Sequence, residues 1–206
     1  HACVLLGELG AQKAADLLVE VARRAESDLV THAAAAACMR IGKPCLEPLI
    51  AQVTSTSGVT EERLVAAMAL TGIATLHPQT YARVGQTLLT AIEANSRDAD
   101  FQTRLTLELC RMGHPQVEDV IEQLSNQDRW VSSEWRPEDA LWLARISPCV
   151  WGSLLFSTPM AMLYLVSDEA DDLARESGVR EILRNAGLST EAVLYGSPRP
   201  PFTGDE

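Results

Sequence analysis

Phosphate chemistry would require a glycine-rich loop, and the chain contains neither G-x-G-x-x-G nor G-x-x-x-x-G-K-[ST]. The nearest fragment is Gly42-Lys43-Pro44, in which the proline removes an amide donor that such a loop needs. No Ser/His/Asp or Cys/His set for nucleophilic catalysis can be assigned from spacing. We therefore predict no catalytic, cofactor-binding or metal-binding residues, and we do not expect an enzyme.

The cysteines form an odd set of five with no C-x-x-C pair: Cys3, Cys38, Cys45, Cys110 and Cys149. This pattern is typical of free thiols in a reducing compartment, so we expect a cytoplasmic protein. The formal net charge of −11 repels a phosphate backbone, and the longest basic cluster is the pair Arg23 and Arg24. A nucleic-acid role is not expected, and a basic or neutral protein partner fits the charge better.

Alanine and leucine are abundant and aromatic residues make up 5 % of the chain, which favours an all-α fold. Three stretches superimpose around a shared turn, Gly7–Leu18, Met39–Ile50 and Arg111–Ile121, and a weaker copy, Ala74–Pro78, has Leu76 where glycine is expected. The anchors at 10, 42, 76 and 113 are 32, 34 and 37 residues apart. A glycine that ends one helix and a proline that opens the next predict about four helical hairpins.

The second helix of each hairpin shows a regular apolar pattern. Positions four, seven, eight and eleven after the anchor are mainly apolar: Ala14, Leu17, Leu18, Val21; Leu46, Leu49, Ile50, Val53; Val117, Val120, Ile121, Leu124. This spacing predicts the buried face of a helix. In the first helices, small residues such as Ala33 to Ala37 would let neighbouring backbones approach closely, and Asp28 and Thr60 are predicted N-caps.

Asp28-Leu29-Val30, followed by Ala33 to Ala37 and Ile41-Gly42, resembles the short HEAT repeat of phycobilisome-lyase-like proteins, roughly D-x-V-R-x-x-A-A-x-A-L-G. The resemblance covers residues 2–125 and implies an α-solenoid of about four HEAT-like hairpins. Thr31 and Gln102 stand where the motif has arginine. No histidine is followed by glutamate, so the paired His-Glu motifs of HEAT-like di-iron hydroxylases are missing.

His77 and His114 occupy equivalent turns in successive repeats. We interpret them as polar loop residues at helix C-termini, with a shared anion or metal site at one edge as the alternative. Cys38 and Cys110 occupy nearly equivalent places on apolar helices, and we predict that both are buried in the packing.

If the second helices line a concave face, as the resemblance implies, their exposed positions are mostly carboxylates. These candidate partner-binding residues are Asp16, Glu20, Glu47, Glu118, Asp119 and Glu122. Such a stripe could accept a Lys- or Arg-rich peptide, and the alternative is a solvated helix face without a partner.

The four tryptophans fall within 22 residues, after the repeats end: Trp130, Trp135, Trp142 and Trp151. We predict that residues 126–195 form a divergent helical cap over the last repeat, and an aromatic partner-binding patch is the alternative. Residues 196–206 are rich in proline and glycine and are predicted to be a flexible tail.

Residues 146–167 carry no charge, but Pro148, Gly152 and Pro159 divide the run into two short apolar pieces. A membrane span is therefore disfavoured; we expect a buried helix or hairpin, with a hydrophobic docking surface as the alternative. Together these patterns predict a protein-interaction or scaffold module that is a segment of a larger protein. A regulatory or lyase-like enzyme subunit and a membrane-peripheral adaptor are the alternatives.

Overall fold

The computed structural model describes residues 2–25, 27–132 and 135–145. Within these ranges the chain is all helical, without strands, which confirms the predicted all-α class. The helices are α1 (Ala2–Glu8), α2 (Ala15–Arg24), α3 (Asp28–Ile41), α4 (Lys43–Thr54), α5 (Thr60–Leu76), α6 (Tyr81–Ala94), α7 (Ala99–Met112) and α8 (Val117–Asn126). Residues 137–145 are also helical, and we call them α9.

The helices pack in two layers. The odd-numbered helices α1, α3, α5 and α7 pack on one another in chain order, and α2, α4 and α6 do the same in the second layer. In addition, α2 packs on α3, α4 on α5 and α6 on α7. The core therefore runs continuously between the layers, from Leu18 through Leu49 and Leu70 to Leu109.

Small residues bring the odd-numbered helices close together, as the sequence predicts. A Cβ on Gly7 would lie 2.8 Å from the Cα of Ala37, so α1 and α3 touch through their backbones. Ala33 to Ala37 are all buried. Gly72 of α5 makes room for the Met39 side chain of α3 in a similar way.

Two details differ from the sequence predictions. Leu17 is 63 % exposed, and α2 buries Ala15, Leu18, Val19 and Ala22 instead. A 3₁₀ turn at Gln12–Ala14 delays the start of α2 and rotates its buried face by one residue. Asp28 and Thr60 are the first residues of their helices and not N-caps.

Asp98 does act as an N-cap, and its side chain accepts a 3.0 Å hydrogen bond from the Phe101 amide at the start of α7. None of the described helices is long and apolar enough to cross a membrane. The uncharged run 146–167, most of the predicted cap 126–195 and the tail 196–206 lie outside the described residues.

The fourth residue of three odd-numbered helices makes the same kind of hydrogen bond. Thr31 Oγ1 donates to the carbonyl of Ala25 at 3.5 Å, Arg63 Nε donates to Val53 at 3.1 Å, and Gln102 Nε2 donates to Ile92 at 2.7 Å. Each acceptor lies at or near the C-terminus of the preceding even-numbered helix, where backbone carbonyls lack partners within the helix. We call this set the fourth-residue bonds.

Arg63 reaches furthest of the three. It is buried, it also donates to Asn95 Oδ1 at 3.1 Å, and its guanidinium lies 4.0 Å from the centre of the Phe101 ring. It therefore connects the end of α4 with the end of α6 and the start of α7. Gln102 extends the pattern by accepting from Arg129 Nε at 2.9 Å, beyond α8.

We expect Arg63→Ala to lower the free energy of unfolding by about 2–4 kcal/mol, because it leaves buried acceptors without a charged donor. Urea unfolding followed by circular dichroism measures the change. Arg97 is exposed, and Arg97→Ala is a matched control expected to change stability by less than about 0.5 kcal/mol. An Arg63→Ala protein as stable as the Arg97→Ala protein would show that the bond pattern contributes nothing.

Gly42 and Gly10 both have positive φ, at 75° and 59°, but their surroundings differ. A Cβ on Gly42 would overlap the imidazole of His77, whereas a Cβ on Gly10 would meet nothing within 4 Å. We expect Gly10→Ala to cost about 1 kcal/mol of backbone strain, and Gly42→Ala to cost more than about 2 kcal/mol. Equal losses in thermal or urea unfolding would argue against a packing role for the Gly42–His77 contact.

Candidate functional site: a groove across the odd-numbered helices

An open groove of about 670 Å³ crosses the outer side of α5 and α7 and reaches α3 and the segment after α8. Its apolar wall consists of Leu64, Val65, Met68, Leu107, Val131 and Trp135. Charged residues share the groove, and they are Glu61, Asp100, Arg104, Glu108 and Arg111. His32 of α3 lies at one end. We call this surface the odd-helix groove.

The segment after α8 folds back over α7 and forms one rim of the groove. The Val131 amide donates to Thr103 Oγ1 at 3.0 Å, and the Trp135 amide donates to Ser132 Oγ at 2.9 Å. Trp130 Nε1 donates to the Trp135 carbonyl at 2.7 Å. These bonds fix the Trp135 backbone beside the groove.

A bidentate ion pair joins the two central helices across the groove. Arg104 of α7 donates to both carboxylate oxygens of Glu61 of α5, at 2.7 and 3.0 Å. These hydrogen bonds lower the pKa of Glu61 and raise the pKa of Arg104. Asp100 lies 3.9 Å from the same guanidinium. The Arg104 charge is therefore already neutralised by carboxylates of the chain itself.

Glu108 is the unusual member of the groove because its carboxylate is buried, with 7 % of the residue exposed. Its Oε1 accepts from Arg111, and none of the described residues donates a hydrogen bond to its Oε2. Thr71 lies close, but its hydroxyl donates its single proton to the Ala67 carbonyl at 3.0 Å. Burial raises the pKa of Glu108, and the nearby Arg111 charge only partly opposes this shift.

We expect Glu108→Gln to gain stability relative to the natural protein as the pH rises. A carboxyl whose pKa is higher in the folded state than in the unfolded state binds more protons when folded, so its ionisation above the unfolded value near 4.5 weakens folding. Glutamine does not ionise, so its contribution to stability does not change with pH. Unfolding free energies of both proteins at about pH 4 and about pH 8 measure the difference.

The two proteins differ at residue 108 alone, so the comparison isolates the contribution of Glu108. If the unfolding free energies of Glu108→Gln and of the natural protein differ by the same amount at both pH values, the pKa of Glu108 is not raised in the folded chain.

His77 and His114 lie in equivalent turns but make no shared site. His77 Nε2 is 3.1 Å from the Met39 carbonyl and packs on Gly42, whereas His114 packs on Gly85 and stacks with Tyr81 at a centroid distance of 6.0 Å. Both histidines lie in loops directly after helix C-termini, as predicted, but His114 is also buried, and burial lowers its pKa. Each histidine fills the space beside a glycine: His77 lies beside Gly42, between α3 and α4, and His114 lies beside Gly85 of α6.

Cys38, Cys45 and Cys110 are buried, as predicted for Cys38 and Cys110. A hydrogen bond with Cys45, together with burial, raises the pKa of Cys38, and burial raises the pKa of Cys110 to about 12. These two thiols are therefore unreactive at neutral pH. Across the described residues, no three His, Cys, Asp or Glu side chains are arranged to hold a metal ion.

The six predicted carboxylates lie on α2, α4 and α8, and none of them lines the odd-helix groove. Three are paired: Glu20 with Arg23 at 2.8 Å, Glu47 with Arg83 at 2.7 Å, and Glu118 with Arg145 at 3.6 Å. Asp16, Asp119 and Glu122 are exposed, and the described part of the chain records no ion pair for them. The unpaired negative charge of the even-numbered helices is therefore smaller than the sequence suggests.

The tryptophans divide between packing and the groove. Trp130 is half-buried and packs against the core, and Trp135 lines the groove. Trp142 is half-buried on α9, and Trp151 lies outside the described residues. Of the nine predicted partner-binding residues that the structure describes, Trp135 alone lines the groove.

The charged groove residues on α5 and α7 were missed by the sequence analysis. One signal was available for Glu108, which stands between the buried Leu105 and Leu109 on α7. A carboxylate at an apolar position is uncommon and often marks a functional site. No signal indicated the partner of Arg104, because Glu61 is 43 residues away in sequence.

Comparison of the chain with protein-family models, with curated proteins and with solved structures finds no match in any of the three. The contacts and charges of this chain are therefore the only basis for assigning a function.

Proposed function

We propose that the helical pairs, each made of an odd-numbered helix and the even-numbered helix that follows it, form a segment of a HEAT-like α-solenoid. This module binds other proteins, and a segment of the partner protein binds in the odd-helix groove. The order of packing supports the architecture, because successive odd-numbered helices stack on one another and successive even-numbered helices do the same. The fourth-residue bonds and the positive φ of Gly10, Gly42 and Gly113 recur from pair to pair.

The shape and the side chains of the groove support the proposal that it binds a protein segment. It is open, and it places apolar side chains next to charged ones along the surface of two long helices. Apolar walls provide most of the binding free energy of a peptide or a loop, and charged groups fix its register. Trp135 at the rim is the kind of aromatic side chain that dominates such contacts.

Three other functions have narrower support. A regulatory or lyase-like enzyme would need several convergent reactive groups, and the raised pKa of Glu108 is the one groove observation that favours it. A basic peptide on the even-numbered helices would rely on Asp16, Asp119 and Glu122. A membrane-peripheral adaptor would rely on residues 146–166, outside the described part of the chain.

Site-specific photocrosslinking tests the proposal. We expect p-benzoylphenylalanine at Leu107, inside the groove, to crosslink one specific protein in a lysate of the source cells. The same probe at Gln86, exposed on α6, is the matched control and should not crosslink that protein. Trp135→Ala should then weaken binding of the purified partner by about tenfold or more, measured by calorimetry.

Crosslinking from Gln86 but not from Leu107 would move the binding surface to the even-numbered helices. Absence of any specific crosslink from both positions, or binding unaffected by Trp135→Ala, would contradict the proposed groove.

A further inference from the structure

We infer that Glu108 is the anchor for a positively charged side chain, a lysine or an arginine, of the protein segment that binds in the odd-helix groove. The inference rests on the proposed function and specifies the chemistry of the partner. Four observations support it: the residues at equivalent positions in the other odd-numbered helices, the carboxylate oxygen without a described donor, the side chains beside Glu108, and the charges in the groove.

The helical framework does not require a carboxylate at this position. Residue 108 stands six positions after the fourth residue of α7, and the equivalent positions are Ala37 in α3 and Ala69 in α5. Both alanines are almost completely buried. In α3 and α5 a buried alanine fills this position, so the packing requires only a small apolar residue there. Glu108 instead places an ionisable group at the equivalent position of α7.

The carboxylate is only half satisfied by the chain. Arg111 donates to Oε1, while the buried Oε2 has no hydrogen-bond partner within residues 2–25, 27–132 and 135–145, since Thr71 donates its proton to the Ala67 carbonyl. Burying a charged oxygen without a partner is unfavourable, so a donor that arrives with a ligand gains more here than at an exposed carboxylate. Guanidinium and ammonium groups are the strongest donors that a protein segment can supply.

The walls beside Glu108 suit the long alkyl stem of such a side chain. Leu107 and Met68 line the groove next to it, and Met68 also borders a small gap against Thr71 and Gly72. A methionine side chain has three rotatable bonds, so it can shift to admit the ligand to Oε2. Lysine and arginine commonly bury their methylene groups while the charged end finds a carboxylate.

The charges of the groove favour a cation over an anion. Arg104 is held by Glu61 in a bidentate pair and by Asp100 nearby, so its charge is already matched. Arg111 is the remaining guanidinium, and it is committed to one oxygen of Glu108. The carboxylates in the groove therefore outnumber the guanidiniums, within a chain whose net charge is −11.

Selection of random peptides displayed on phage tests this inference with the full 206-residue chain as bait. We expect the selected peptides to share one lysine or arginine at a fixed position. These peptides should bind Glu108→Gln at least about tenfold more weakly, because the amide retains the size of the side chain but loses its charge. Replacement of the shared basic residue by glutamine or norleucine should weaken binding to the natural chain to a similar extent.

Glu108→Gln should remain folded, and unfolding measurements check this directly. Trp135→Ala serves as the groove control, because it removes an apolar wall and leaves the Glu108 carboxylate in place.

The outcomes separate this inference from the proposed function. Peptides that lose affinity for Trp135→Ala but bind Glu108→Gln as tightly as the natural chain would overturn the role of Glu108 and leave the groove as the binding site. Selected peptides without a fixed basic residue would overturn it as well. Failure to select any peptide whose binding depends on Trp135 would overturn both the anchor and the groove.

Discussion

The hydrogen bond from the fourth residue of an odd-numbered helix to the end of the preceding even-numbered helix is the interaction on which the rest of the structure depends. A helix end that is buried by its neighbour needs a donor for its last carbonyls. Thr31, Arg63 and Gln102 provide that donor in successive pairs. Without these hydrogen bonds, packing one helical pair on the next would bury backbone carbonyls that lack donors. The cost of burying them would offset the apolar contacts between the two layers.

The groove is a consequence of this stacking. The fourth-residue bonds join α5 to α4 and α7 to α6, and α7 packs directly on α5. In this arrangement Arg104 lies opposite Glu61, and Glu108 lies close to Thr71. Thr103, next to Gln102, receives the Val131 amide and so brings the Trp135 segment to the rim. The charged pairs of the groove lie far apart in sequence, and the packing of consecutive helical pairs brings them together.

Local patterns were sufficient to predict the helical class, the glycine turns at 42 and 113, and the burial of Cys38 and Cys110. The prediction failed for Leu17, because the 3₁₀ turn before α2 shifts the helix start and periodicity alone does not reveal such a shift. Arg63 is the fourth residue of α5, and its contacts to Asn95 and Phe101 involve residues about 30 to 40 positions away in sequence, which local patterns do not reveal. The candidate site was missed for the same reason, since its charges meet only after the pairs have stacked.

The contacts of His77 and His114 with glycines of the preceding pairs have a consequence for molecular recognition. An imidazole that fills the space beside Gly42 or Gly85 prevents one helical pair from rotating against the next. The groove walls belong to consecutive pairs, so these contacts oppose a change in the distance between the walls. A binding surface that is rigid in advance loses little conformational entropy on association, and a short segment with few contacts is then enough for useful affinity.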